Sequence, residues 1–144
     1  NGEDITDAIR TPEISMLASA VSARPGVRSF LLKIQRELGR QKAAVFEGRD
    51  MGTVVFPDAD AKFYLDAATR VRAQRRFAEA KDPSGTPIEA IERDMQVRDR
   101  QDSSRALAPL KAAPDAVIID STDLTIDQVV ERMAAHVRVV LGPA

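Results

Sequence analysis

The sequence predicts an α/β fold with a parallel sheet, because short apolar runs alternate with stretches of helical periodicity. The predicted strands are 43–46, 62–65 and 116–119. Two predicted helices come before the first of these strands, and no strand precedes them. Three strands make a thin sheet, so we also expect the complete fold to have a part upstream of this chain.

The first two helices are predicted to form a hairpin. Thr-Pro-Glu at 11–13 begins the first helix, with a capping Thr, a Pro at the first helical position and an acid in the first turn. Arg-Pro-Gly at 24–26 ends it, and a second helix is predicted over 27–38 with Gly39 as its C-cap. Apolar residues recur at helical spacing at Ile14, Leu17, Ala18 and Val21, and at Phe30, Leu31, Ile34 and Leu38.

Two further helices are predicted between the second and third strands. The first covers 69–81, and a turn at 82–87 follows it. The second covers 88–100 and has so few apolar residues that we expect it to project outward from the core. Residues 101–114 read as irregular.

The end of the chain is predicted to be a buried strand followed by a helix. The strand at 116–119 is uniformly apolar, which predicts burial on both of its faces. Thr125 is predicted to cap the last helix. We expect its buried face to consist of Ile126, Val129, Val130, Met133 and Val137. His136 is predicted to be half-exposed and without a role.

The composition predicts a soluble, globular protein with a single domain. The 144 residues are 44% hydrophobic and 30% charged, and the net charge is -1. That charge offers no electrostatic case for binding nucleic acid or a membrane. Cysteine is absent and histidine occurs once, which excludes thiolate or histidine-rich metal sites. With no apolar run near about 18 residues and no signal peptide, we expect a cytoplasmic protein.

A corner at Arg49 and Asp50 is the first candidate site. Gly48 and Gly52 flank it, and an apolar run precedes it. Open α/β sheets place their chemistry at the carboxyl ends of strands, which favours a functional interpretation. A tight, solvent-exposed turn between two strands explains the same pattern.

A charge run at 93–105 is the second candidate. On a helix, Asp94 with Arg98 and Arg98 with Asp102 are four residues apart, so the run can be a solvated face with weak surface pairs. The alternative is a mobile, arginine-bearing flap over a polyanion, since arginine neutralises charge during phosphoryl transfer. Arg72, Arg75 and Arg76 follow the second strand, and surface charges with buried stems explain most of them.

Complete catalytic motifs are absent from this sequence. It contains no G-x-x-x-x-G-K-[ST], no G-x-G-x-x-G and no G-x-S-x-G. The sequence therefore offers no loop that could hold the phosphates of a nucleoside triphosphate.

Several segments resemble bacterial cytidylate (CMP) kinases. Residues 47–67 read E-G-R-D-M-G-T-V-V-F-P-D-A-D-A-K-F-Y-L-D-A, which is similar to the central segment of that family. Residues 98–111, R-D-R-Q-D-S-S-R-A-L-A-P-L-K, resemble its lid, and 115–130 resemble its last strand and helix. I-R-T-P-E-I from Ile9 and P-G-V-R from Pro25 fit its hairpin. The resemblance covers nearly the whole chain in order.

The resemblance implies a P-loop nucleoside monophosphate kinase fold with an incomplete parallel-sheet core, a helical monophosphate-binding hairpin and a lid. Residues 1–42 would belong to the monophosphate-binding helical region and 83–110 to the lid. Residues 43–82 and 111–144 would form the core. The implied reaction transfers the γ-phosphate of ATP to CMP or dCMP with Mg²⁺. The implied partners are these nucleotides, with no nucleic acid or membrane, and the implied state is a monomer.

The same resemblance implies roles for individual residues. Arg49 would hold the phosphate of CMP, and Asp102 would bond its ribose. Arg98 would reach the phosphates from the lid and, with Arg105, would be catalytic. The remaining implied contacts are Ser19, Arg28 and Asp50 with cytosine, Arg105 with bound CMP, and Arg75 with the ATP base.

One departure from the family pattern limits these expectations. In the family, the P-loop, the first helix and the start of the monophosphate-binding domain precede the position that matches Asn1. We therefore expect this chain alone not to transfer phosphate, and ATP and Mg²⁺ to be held mainly by that upstream segment. Two alternatives stay open: a truncated, non-catalytic module that binds a nucleotide or a protein, and a kinase for another small acceptor.

Overall fold

The computed structural model describes residues 2–6, 8–9, 12–22, 24–41, 43–79, 85–104 and 109–142. They divide into two compact units, Asn1–Val45 and Phe46–Ala144. The first contains the helices α1 (Pro12–Ser22) and α2 (Pro25–Gln41). The second contains a π-helical turn at Met51–Val55, β1 (Phe63–Asp66), α3 (Thr69–Glu79), α4 (Ile88–Ser104), β2 (Val117–Asp120) and α5 (Ile126–Leu141).

The helices α1 and α2 contact each other and form the predicted hairpin. Each helix begins at a proline, which suits the first helical position because proline lacks the amide hydrogen that would go unbonded there. The predicted cap at Gly39 is wrong, because α2 continues through it to Gln41. Arg40 in that last turn favours continuation, since a cation stabilises the carbonyl end of a helix. Leu17 and Phe30 are 58% and 63% exposed, so helical spacing did not predict burial.

The predicted strand at 43–46 is not present. Residues 43–47 have no regular structure, and Val45 is 98% exposed. A strand persists only when its backbone groups find partners on a neighbouring strand. Within the described residues the sheet has two strands, β1 and β2, and neither pairs with this segment.

The two strands that do form are parallel. Phe63 pairs with Val117 and Asp66 with Asp120, so the carboxyl ends of both strands meet at one edge. The predictions at 62–65 and 116–119 are therefore correct to within one residue. The expectation that β2 is buried on both faces is wrong, because Ile119 is 4% exposed and Ile118 is 67% exposed. Successive side chains point to opposite faces, so Ile118 and Ile119 meet different surroundings among the described residues.

The polar helix α4 packs against α3 instead of projecting outward. Ala73 of α3 is completely buried. Ile91 and Met95 of α4 are half-buried, so a few apolar residues on one face suffice for this packing. The helix also runs four residues beyond its predicted end, which places 101–104 in regular structure. The predicted helix end at 80–81 and the turn residues 82–84 lie outside the described residues.

The helix α5 begins as predicted. The Thr125 hydroxyl accepts a hydrogen bond from the Gln128 amide at 3.3 Å, and the Gln128 side chain accepts one from the Thr125 amide at 2.9 Å. This reciprocal capping box satisfies two amides that the helix itself cannot. The predicted buried face is only partly correct, since Ile126 and Val130 are 82% and 58% exposed. The half-buried His136 packs edge-on against Phe63, with ring centroids 5.4 Å apart.

Among the described residues, none of the helices is both long enough and apolar enough to cross a membrane.

Candidate anion-binding site

Arg49 and Asp50 lie in a half-buried bend that leads directly into the π-helical turn. The Asp50 carbonyl accepts hydrogen bonds from the amides of Thr53, Val54 and Val55 at 3.3, 2.9 and 3.2 Å. Single π-helical turns are rare and are often found at functional sites. The bend is thus half-buried and not a solvent-exposed turn between two strands, and its functional interpretation stays a prediction.

Aromatic rings close the base of this bend. The rings of Phe46 and Phe56, which precede and follow it, have centroids 4.5 Å apart. An aromatic pair of this kind contributes about 0.5–1.5 kcal/mol beyond its buried area. The nine residues between the two rings are therefore held as a closed loop that presents Arg49.

The Arg49 guanidinium meets two carboxylates of α4. Its Nη2 lies 3.2 Å from Asp102 Oδ2, and its Nη1 lies 3.6 Å from Asp99 Oδ1. The Arg49 side chain is 40% exposed, whereas that of Asp102 is 3% exposed. Asp102 thus holds one side of the guanidinium, Asp99 lies farther from it, and part of the guanidinium stays accessible to a second anion.

Asp102 lies in the last turn of α4, and further contacts hold it there. Its carbonyl accepts a hydrogen bond from the Leu110 amide at 2.9 Å, and Arg98 Nε lies 4.0 Å from its carboxylate. The surface interpretation of the charge run therefore fails at Asp102. It holds for Arg93, Asp94 and Arg100, which are exposed. The run divides into an outer, solvated side and a side that faces Arg49.

Arg72 connects this cluster to the sheet. Its Nη1 lies 2.7 Å from Asp99 Oδ2, and its Nε donates to the Ala67 carbonyl at 2.9 Å. Ala67 directly follows β1 and is buried. The cluster of Arg49, Arg72, Asp99 and Asp102, which we call the arginine–carboxylate cluster, is therefore anchored at the carboxyl end of a strand.

Arg75 lies at the same edge, beside the end of β2. It donates to the Ser121 hydroxyl at 3.0 Å and to the Ser121 and Leu124 carbonyls at 2.6 and 3.4 Å. Ser121 is buried and its hydroxyl donates to the Asp66 carbonyl at 2.9 Å. Arg75 thus stabilises the connection between β2 and α5. Nothing in these contacts tests its implied role at the ATP base.

Hydrogen bonds from Thr122 order the same edge. Its hydroxyl and amide donate to Asp120 Oδ1 at 2.6 and 2.9 Å, and these bonds lower the pKa of the Asp120 carboxyl from its usual value. The Thr122 hydroxyl also accepts a bond from the Ala68 amide at 2.9 Å. Both strand ends are therefore tied together.

Three other residues implied by the resemblance lie elsewhere in the chain. Ser19 belongs to α1, and Arg28 lies in the first turns of α2, where its side chain is half-buried. Both are in the first unit, so their convergence with Arg49 stays a prediction. Arg105 lies outside the described residues.

Metal ligands are not grouped in the described part of the chain. No set of three or more His, Cys, Asp and Glu side chains there is placed to hold a metal ion.

Lys62 is a buried residue that sequence reasoning missed. Its ammonium donates to Asp115 Oδ2 at 2.6 Å and to the Pro57 carbonyl. Its stem lies beneath the π-helical turn, where a Cβ on Gly52 would be 3.4 Å from Lys62 Cδ. A lysine at a predicted strand start was the only signal, and it is indistinguishable from a surface lysine. Lys62 supports the bend from below and joins the segments that enter the two strands.

Replacing Asp115 by asparagine is expected to reduce the amount of stability that the protein loses as the pH falls. The bond from Lys62 lowers the pKa of the Asp115 carboxyl below its unfolded value, which is near 4. Its contribution to the free energy of unfolding is present above that unfolded pKa and is lost as pH falls through the lower folded pKa. Urea unfolding between pH 6 and pH 2.5 measures this loss.

The exposed Asp123 supplies the control as Asp123→Asn. We expect the wild type and the control to lose stability in parallel below about pH 4, and Asp115→Asn to lose less. Parallel curves for all three proteins would contradict a stabilising Lys62–Asp115 pair.

The fold and the arginine–carboxylate cluster together define the class of protein, an α/β protein with a site for an anion. The chain is an α/β protein with parallel strands, and it presents a partly exposed arginine suited to an anionic group. The family model for cytidylate kinase matches residues 1–139. The chain therefore belongs to the cytidylate kinase family, and the resemblance in its sequence is confirmed. Its α/β fold is that of the P-loop nucleoside monophosphate kinases, of which it contains part of the parallel sheet.

Curated relatives support the same membership. A cytidylate kinase of Geobacter sulfurreducens is 54% identical over 140 residues, which cover 96% of this chain and 60% of the relative. One of Syntrophotalea carbinolica is 52% identical over 135 residues, 92% of this chain and 57% of the relative. One of Aeromonas salmonicida is 44% identical over 144 residues, which cover 99% of this chain and 63% of the relative. The chain thus spans about three fifths of the length of these relatives.

Proposed function

We propose that this chain carries the acceptor-binding and lid residues of a kinase that transfers the γ-phosphate of ATP to CMP or dCMP. The observation that carries the proposal is the Arg49 guanidinium, which is 40% exposed and anchored by Asp102 at 3.2 Å. Arginine binds phosphate through a planar, bidentate fork, and an anchored fork loses little freedom on binding. Membership of the cytidylate kinase family supports cytidylate as the acceptor.

The proposed reaction is an in-line phosphoryl transfer. A phosphate oxygen of CMP attacks the γ-phosphorus of ATP, the bond from that phosphorus to the β–γ bridging oxygen breaks, and ADP leaves. Arg49 orients the attacking phosphate. Arg98, whose side chain is 57% exposed, and Arg105 neutralise charge on the transferring group. Mg²⁺ would enter with ATP, and no step here is assigned to it.

The other implied contacts give the proposed specificity. Asp50 would read cytosine together with Ser19 and Arg28, and Asp102 would bond the ribose. A site that hydrogen-bonds a base edge rejects analogues that leave its polar groups without partners. Arg75 would lie near the ATP base.

The proposed domain roles follow the sequence boundaries. Residues 1–42 would contribute to the acceptor-binding helices and 83–110 to the lid, which must close to keep water from ATP. Residues 43–82 and 111–144 would form the core. Cytoplasmic location and a monomeric state are further parts of this proposal.

Acceptor specificity tests the proposal directly. A coupled assay would measure ADP release from ATP with Mg²⁺ and with CMP, dCMP or UMP. The assay would compare the full gene product with the 144-residue chain, each verified by intact mass. We expect release from the gene product with CMP or dCMP, and none from the chain alone. A preference for UMP or for an unrelated acceptor would refute the cytidylate assignment.

The non-catalytic alternative gives a different result in the same assay. A truncated module would bind a nucleotide or a protein partner, yet the gene product would release no ADP with any acceptor. The family match and the exposed, anchored Arg49 favour the kinase over this alternative.

A further inference from the structure

We propose that Arg72 is a positioning residue that keeps the Asp99 carboxylate away from Arg49, so that Arg49 stays available to a phosphate group. The inference rests on the proposed function, because it concerns the arginine assigned to the acceptor phosphate. It adds to that function a residue of α3 that would set the affinity of the site without touching the ligand.

The two oxygens of Asp99 have unequal partners. Oδ2 lies 2.7 Å from Arg72 Nη1, which is the distance of a charge-assisted hydrogen bond. Oδ1 lies 3.6 Å from Arg49 Nη1, which is beyond hydrogen-bond range. Asp99 is therefore committed to Arg72 and only loosely associated with Arg49.

Arg72 cannot easily follow Asp99 toward Arg49, because the sheet edge holds it. Its Nε donates to the Ala67 carbonyl at 2.9 Å, and its Nη2 donates to the Thr69 hydroxyl at 3.1 Å. With Nη1 on Asp99, all three of its nitrogens are engaged, and its side chain is 28% exposed. The position of Asp99 is thus fixed relative to β1 through a rigid guanidinium.

Loss of Arg72 would leave the Asp99 carboxylate, 26% exposed, beside Arg49. A partly buried carboxylate that loses its cation turns to another, and Arg49 is already within 4 Å. Carboxylate and phosphate bind the same guanidinium fork, so Asp99 would then compete with the ligand. The lost positive charge would weaken phosphate binding further, in the same direction.

The test compares CMP with cytidine, which lacks the phosphate. Dissociation constants for both would be measured by calorimetry on the full gene product. In Arg72→Met, which keeps an unbranched side chain, we expect CMP to bind about fivefold more weakly, the effect of one partly exposed charge contact. Binding of cytidine should not change, since the effect acts through the phosphate.

A second substitution should reverse the first. Arg72→Met combined with Asp99→Asn removes the competing carboxylate, and we expect CMP affinity to return to within about twofold of the wild type. A purely structural role for Arg72 cannot produce this rescue, because both variants lack its bonds to Ala67 and Thr69. An unrescued double variant would overturn the inference.

Arg70 provides the matched control on the same helix. It joins α3 to α4 through Glu89 and Glu92, each at 3.1 Å, and has no role in the proposed site. Arg70→Met should leave the affinity ratio of CMP to cytidine unchanged. An equal loss of that ratio in Arg70→Met and Arg72→Met would overturn the inference, since general loosening of α3 from α4 would then explain both.

Two results remain decisive if Arg72→Met does not fold. Asp99→Asn alone should keep or raise CMP affinity, and a fall would show that Asp99 holds Arg49 productively. Arg72→Lys keeps the charge and loses the bonds to Ala67 and Thr69, so CMP should bind less than about fivefold more weakly while cytidine binds as it does to the wild type; an equal loss for both ligands would overturn the inference. Failure of the proposed function looks different: the wild type itself would bind CMP no better than cytidine.

Discussion

Replacing Arg49 by methionine is expected to lower kcat/KM for CMP in the full gene product by a factor on the order of 100, the cost of removing a preorganised charge contact to the reacting group. The side chain proposed to hold the acceptor phosphate would be gone. Water in its place cannot reproduce the planar pair of N–H donors of the guanidinium. KM for ATP should change little, because this loss concerns the acceptor. Steady-state assays with each substrate varied in turn would measure both constants.

Two companion variants sharpen this result. Arg49→Lys keeps the charge and loses the fork, so its kcat/KM should fall between those of the wild type and Arg49→Met. Arg76→Met makes the same chemical change at an exposed position of α3 and should leave kcat/KM unaltered. Thermal unfolding of each variant shows whether the fold is intact. Normal kcat/KM in folded Arg49→Met would place the acceptor phosphate elsewhere.

Replacing Ala73 by leucine is expected to reduce the free energy of unfolding by about 2 kcal/mol, as overpacking of a filled interior does. Ala73 is completely buried within α3, so three extra carbons would have to displace the atoms around it. Urea unfolding of the full gene product would measure the change.

Ala78 of the same helix gives the control, because it is exposed. Ala78→Leu makes the identical substitution and should change stability by no more than about 0.5 kcal/mol. Equal destabilisation by the two variants would contradict the tight packing around Ala73.

Prediction from the sequence succeeded where short-range chemistry decides the structure. The strands at 62–65 and 116–119 were located within one residue, because a short apolar run bounded by turn residues usually forms a strand. The N-cap at Thr125 was correct, since a capping box needs only residues three apart. The predicted strand at 43–46 failed, because a strand depends on a partner that its own sequence does not contain.

The residues of the candidate site also divide into those that the sequence predicted and those that it did not. Sequence reasoning chose Arg49 from the glycine-flanked corner and Asp102 through the family resemblance, and the structure places their side chains 3.2 Å apart. It did not choose Asp99, whose place in a charge run looked like a solvated helix face. It also passed over Lys62, and it treated Arg72 as one surface arginine among three. Each of these three depends on contacts between residues far apart in the chain or on different helices.

The sequence by itself determined the family, the five helices and the two strands that form among the described residues, and the residues available for an anion, because motifs and periodicity are local properties. The tertiary structure alone decided which of these residues meet. It turned the polar face of α4 toward Arg49, buried Asp102 and fixed Asp99 on Arg72 at 2.7 Å. The physical reason is that a carboxylate's burial and partner depend on how two helices pack, and helix packing depends on side chains that are distant in sequence.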